Sequence, residues 1–115
     1  NMEILSEFHT AIIHLSQAEL DQYNYKKGDT EGLVNYGLSI EGVVFAVIFI
    51  ENAAEKMVKI SFRSQGSFSV NEFARAHFNG GGHDNAAGGR SDNTLENTLT
   101  HFKTLLPNYK NQLEK

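Results

Sequence analysis

Between Phe78 and Arg90 the chain reads FNGGGHDNAAGGR. Three consecutive glycines run into a histidine, and two more precede an arginine. Glycine tolerates positive φ and lacks a Cβ, so a ligand can approach the backbone closely. Successive N–H groups turned inward make a nest for an anion. Read this way, the segment is a backbone cradle for phosphate, and His83 donates a hydrogen bond to a phosphate oxygen. Asn85 offers a donor and an acceptor to a base or ribose edge. A helical turn over residues 84–87 would add free N–H groups to the same pocket. Neither G-x-x-x-x-G-K nor a strand-borne G-x-G-x-x-G is present. Spacing alone therefore leaves a flexible loop with a surface histidine equally open.

Arg63 is the second candidate. It ends the polar parity of MVKISFR, and an arginine at a strand end is placed to fork onto a phosphate. A solvated edge charge is the commoner fate of such a residue. All three arginines, Arg63, Arg75 and Arg90, share one stretch with His77 and His83, where the only acids are Glu72 and Asp84. A third element, GDTEGLVNYGL, sets Glu31 and Asn35 four apart on one helix face. Capping and a polar face suffice to explain that pair.

Elements that must hold these residues follow from periodicity. His9 to Leu15 reads as a strand, and Ser16 with Glu19 as a capping box opening a short helix at Gln17. After the YKKGD turn, Asp29 or Thr30 caps a helix to about Leu38. Val43 to Ile50 is apolar on both parities, as suits a central strand buried on both faces. It forms a hairpin with MVKISFR, where Val58, Ile60 and Phe62 alternate with Lys59, Ser61 and Arg63. Ser69 and Glu72 cap a helix striped by Val70, Phe73, Ala74 and Phe78, and Gly80 stands where a C-terminal cap belongs. An edge strand is expected around Arg90. Asn93 and Glu96 cap a last helix with Leu95, Leu99, Phe102 and Leu106 on one face, limited by Pro107. The sum is a single compact α/β domain: a mixed, about five-stranded sheet flanked by helices.

Composition narrows the function. At 115 residues the chain suits one domain. Its net charge of −4 opposes non-specific binding to long nucleic acid, yet a few cations in one place suffice for a phosphate. No cysteine is present, so neither disulfides nor thiolate metal sites arise. The longest apolar run, Val43 to Ile50, is far short of the ~20 residues of a membrane span, and no leader-like N-terminus is seen, so a cytoplasmic location without membrane contact is expected. The chain opens Asn1-Met2, and Asn does not initiate translation; a fragment of a longer protein is expected, with residues 1–8 ending an interdomain linker and residues 9–115 forming the domain.

TEGLVN, ISFRSQG and FNGGGHDNAAGG, in that order, resemble the DHH-associated C-terminal domain of the DHH phosphoesterases. The pattern is most similar to bacterial bifunctional oligoribonucleases (nanoRNases) that also dephosphorylate nucleoside 3′,5′-bisphosphate. The resemblance runs from about His9 to Asn108. It implies a separate N-terminal DHH domain holding two manganese ions, over which this domain closes to grip the substrate. Short RNA oligonucleotides or a nucleoside bisphosphate are the implied ligands, and a homodimer of the parent is compatible with it. Arg63 and Ser64 would contact a substrate phosphate. Gly80, Gly81 and Gly82 would line the pocket, and His83 would hold the phosphate near the metals. Asn85 is a weaker carry-over, and Glu31 and Asn35 belong to the pattern without an assigned role. The departure is that no Asp-His-His occurs, and Asp21, Asp29, Asp84 and Asp92 are scattered. No catalytic residue, metal ligand or cofactor is therefore expected in this chain. The alternative is a nucleic-acid-binding or oligomerisation module without hydrolytic role, as in related domains appended to alanyl-tRNA synthetases.

Overall fold

The computed structural model describes residues 2–114, with Lys27 described by its backbone alone. Six strands form one mixed sheet: β1 (Met2–Leu5), β2 (Thr10–Leu15), β3 (Phe45–Asn52), β4 (Met57–Ser64), β5 (Gly81–His83) and β6 (Ala86–Ser91). Their order across the sheet is β1-β2-β3-β4-β6-β5. Only β2 and β3 run parallel. Their crossover carries α1 (Gln17–Tyr23) and α2 (Lys27–Ser39). On the other face lie α3 (Val70–His77), α4 (Leu95–Leu105) and the short α5 (Lys110–Leu113).

The expected hydrophobic patterns become two cores, one on each sheet face. Val58, Ile60 and Phe62 of β4 join the larger, with Phe45, Phe73, Phe78 and Phe102. Phe73 is its hub, with ring centroids 5.3 Å from Phe45, 5.6 Å from Phe62 and 5.8 Å from Phe102. Phe102 and Leu106 are buried there, with Leu95 and Leu99 packed against them, so the α4 stripe faces the core. The smaller core puts Val34 of α2 on Ala11, Ile13, Ala46 and Ile48. β3 feeds both cores, as a strand apolar on both parities must.

The helix starts follow from their caps. Ser16 accepts from the Glu19 N–H while the Glu19 carboxylate accepts from the Ser16 N–H, closing the expected capping box. Ser69 accepts from the Glu72 N–H. α2 begins earlier than expected, because Asp29 acts from the third helical position, accepting the Lys26 N–H at 3.0 Å. Thr94, not Asn93, caps α4, accepting from the Asn97 N–H.

The six strands agree with the expected mixed sheet of about five, and two short ones were not among the elements read from the sequence. Met2–Leu5, within the stretch expected to be linker, pairs antiparallel with β2. Glu3 and Glu7 there reach Lys103 and Lys110 near the C-terminus. Asn1 lies outside the described residues. The second addition is β5, and it changes the picture at residues 84–87. No helical turn forms there: Asp84 and Asn85 are the turn of the β5–β6 hairpin. The Asp84 carbonyl instead accepts the Val70 N–H at 2.8 Å, tying the hairpin tip to the start of α3.

Candidate phosphate-binding face

The β5–β6 hairpin is pinned at its tip. Ser64, at the end of β4, is buried; its hydroxyl donates to the Phe68 carbonyl at 2.7 Å and accepts from Asn85 Nδ2 at 2.9 Å. Asn85 Nδ2 also lies 3.2 Å from the Gly66 carbonyl. The Ser69 hydroxyl donates to the Asp84 carboxylate at 3.0 Å. Ser64 and Asn85 thus hold the turn, and the Ser64 proton is committed inside the protein rather than free for a ligand.

Two of the glycines are committed within the hairpin and its contact with α3. Gly80 is not the left-handed cap of α3; Asn79 takes that conformation, with φ 50°. A Cβ at Gly80 would collide with the Gly88 carbonyl oxygen and come within 2.6 Å of the Gly89 Cα. A Cβ at Gly82 would lie 2.8 Å from the Ala86 oxygen. The Gly80 N–H donates to Ala74 O at 3.2 Å and the Gly82 N–H to Asn71 Oδ1 at 2.9 Å. Those amides are satisfied within the protein, so the expected nest of inward N–H groups is replaced by close packing of the hairpin against α3. Spacing could not show this, because the partner of each glycine is another backbone segment.

That packing sets up a row of side chains. Arg63 on β4 lies opposite Ala86 on β6, and Ala86 opposite His83 on β5. Residues directly opposite on neighbouring strands share a sheet face, and two strand spacings put the Arg63 and His83 backbones about 10 Å apart. The face is the one α2 covers further along, because Arg63 pairs with Ala46 and Ala46 with Ala11. α2 packs on β2, β3 and β4, so the end of the row on β6 and β5 stands open, with His83 exposed and Arg63 half-buried. The adjacent row is Ser61, Gly88 and Gly81, which carries a single small side chain. The next pair is Lys59 and Arg90. Arg63 donates one N–H to its neighbour's carbonyl, Phe62 O, at 2.9 Å. Among the described residues it has no acidic partner. Arg90 is paired with Asp92 at 2.9 Å, so Arg63 is the cation this shelf offers, over a low floor and open to a phosphoryl group from the exposed side. Lys59 and Ser61 were legible as neighbours of Arg63 in the β4 alternation but were not singled out.

The other expected residues lie apart. Glu31 and Asn35 are exposed on α2. His77 faces away from the shelf, its Nε2 2.6 Å from the Tyr109 hydroxyl. Burial lowers the His77 pKa, and burial raises that of Tyr109. Among the described residues no three His, Asp or Glu side chains converge on a metal-sized site, so this chain's donors do not fit a two-metal centre. No described helix is long and apolar enough to cross a membrane.

Comparison with known proteins places this geometry. In full-length coverage of this chain, an exopolyphosphatase-related protein from Bacteroides fragilis is 41% identical with a TM-score of 0.92. The chain spans 33% of that protein's length. A pGpG-specific phosphodiesterase from Vibrio cholerae shares the fold, with TM-score 0.59 and 11% identity over 93% of this chain and 34% of its own. So does the C-Ala domain of Aquifex aeolicus alanyl-tRNA synthetase, with TM-score 0.60 and 11% identity over 92% of this chain and 97% of its own. No curated protein sequence matches significantly. The family model of the DHHA1 domain matches residues 6–111, nearly the whole sheet with its helices and the Arg63–His83 row, and the chain belongs to that family.

Proposed function

We propose that this chain is the substrate-gripping domain of a DHH-family phosphoesterase. It holds a phosphoryl group of a short oligoribonucleotide or a nucleoside 3′,5′-bisphosphate between Arg63 and His83. The observation that carries the reading is the row Arg63–Ala86–His83, open to solvent and floored by Ser61 and glycine. Arg63 supplies a planar fork of donors and His83 a directed one; both suit the oxygens of a phosphate. Ser64 and Asn85 are positioning residues that fix the turn behind His83.

Hydrolysis belongs, on this reading, to an N-terminal DHH domain of the parent, whose own side chains hold manganese. Two thirds of the Bacteroides protein lie outside the part this chain matches, and the donor set here does not fit the metals. This domain contributes by positioning, which lowers the entropic part of the barrier. A nanoRNase-like substrate range fits the paired demand of the shelf: one phosphate, approached from an open side.

Titration of the chain with adenosine 3′,5′-bisphosphate and with a diribonucleotide, in the presence of manganese, tests this. Binding without product formation is expected. Hydrolysis that scales with the concentration of this chain would overturn the division of labour. Binding to long RNA with a steep salt dependence, absent for the dinucleotide, would point to a nucleic-acid-binding module instead.

A further inference from the structure

Two residues back from Arg63 along β4, on the same face, Ser61 and then Lys59 line a cavity of about 320 Å³. Leu20 of α1 and Tyr25 and Lys26 of the α1–α2 connection form one wall, and Glu31 of α2 another. Tyr25 is half-buried, and Tyr23 meets it edge-on at 6.2 Å. Lys26, Glu31 and Lys59 are exposed at the rim.

We propose that this cavity is a nucleoside site, taking the base of the nucleotide whose phosphoryl group lies on the Arg63–His83 row. The inference rests on the proposed function and adds a second ligand contact to it. Three observations carry it. Ser61 and Arg63 are separated by two strand residues, roughly 6.6 Å, so the cavity and the row adjoin on one surface. The volume falls at the lower end of the roughly 300–1,000 Å³ of small-molecule sites. The lining joins an aliphatic and an aromatic side chain to a few convergent polar groups. A free phosphate has no use for Leu20 and Tyr25. A purely apolar ligand leaves Lys26, Lys59 and Glu31 unmatched. A nucleoside uses both: its base lies against Tyr25 and Leu20, and the base's exocyclic amine donates to the Glu31 carboxylate. Ser61 then lies on the phosphate side of the ligand, between Lys59 and Arg63. Glu31 acquires a role that its position in the sequence did not suggest.

The test compares ribose 5-phosphate, which has no base, with adenosine 5′-monophosphate, each titrated into the ¹⁵N-labelled chain. Adenosine monophosphate is expected to move the amides of Leu20, Tyr25, Lys26 and Ser61 together with those of Arg63 and His83. Ribose 5-phosphate is expected to move only the Arg63 and His83 group. Tyr25→Ala should weaken adenosine monophosphate about tenfold and leave ribose 5-phosphate unchanged, while Tyr25→Phe should retain both. Because Tyr25 also packs against the smaller core, the wild-type shift pattern stands as the test should Tyr25→Ala not fold. The cavity is overturned if both ligands move the same amides, if adenosine monophosphate moves none, or if Tyr25→Ala weakens both ligands equally. Shifts at Tyr25 and Ser61 with Arg63 and His83 unmoved would support the cavity and overturn the phosphate row.

Discussion

Arg63 and His83 stand on either side of Ala86 in one row across β4, β6 and β5, although twenty residues of sequence separate them. α3 and its connections fill that interval, and their packing brings the hairpin back against the edge of β4. The grip on a phosphate is therefore a property of the sheet register, and the residues that maintain the register matter as much as the two that face the ligand.

Ser64 is the first such residue. Ser64→Ala removes the acceptor of Asn85 Nδ2 and the donor to Phe68 O, at a buried position. A loss of about 1–3 kcal/mol is expected, read as a lower urea midpoint. The affinity for adenosine 3′,5′-bisphosphate should fall with it, because the turn that carries His83 loosens.

The glycines separate packing from conformational freedom. Gly80→Ala drives a methyl into the Gly88 carbonyl, with backbone on the far side and no flexible group to yield. A cost of at least about 3 kcal/mol or failure to fold is expected. Gly32 lies within α2 with open space around its Cβ direction. Gly32→Ala should stabilise by roughly 0.5–1 kcal/mol. Thermal melts of the two variants check both signs.

His77 makes stability depend on pH. Its pKa lies below the ordinary 6.5 in the folded protein, first through burial and then through His101, and its Nε2 is hydrogen-bonded with the Tyr109 hydroxyl. A depressed pKa means the unfolded chain binds the proton more readily. The His77 contribution is therefore complete above pH 6.5 and is lost as pH falls from there through the folded value. Urea titrations at pH 7.5 and 5.5 should show a smaller drop for His77→Gln than for the wild type. An equal drop would assign the effect to the other histidines.

Much of this was legible in the sequence where side chains carry a period. The alternation of β4, the phenylalanine stripe of α3 and the caps at Ser16 and Ser69 each depend on local chemistry, and the structure keeps them. Residues 80–89 offered no such signal. Glycine and alanine show neither alternation nor strand preference, and β5 exists because its backbone finds β6 and α3. The start of α2 differs from its sequence pattern because Asp29 works from inside the helix, where Lys26 is not a usual cap. Of the candidate site, the residue types were legible and their exposure was not. Ser64 and Asn85 look like ligand contacts by type, but packing buries Ser64, and exposed Asn85 donates its Nδ2 to Ser64 and Gly66, while Lys59 and Ser61 come forward on the Arg63 face.

The most direct measurement is calorimetric titration of adenosine 3′,5′-bisphosphate into the wild type, Arg63→Ala, His83→Ala and the double variant. One phosphoryl group held by both side chains predicts about a tenfold or greater loss in each single variant. It also predicts a combined loss that departs from the sum of the two, since they share a partner. Unchanged affinity in either single variant, with the fold intact by circular dichroism, would contradict the account.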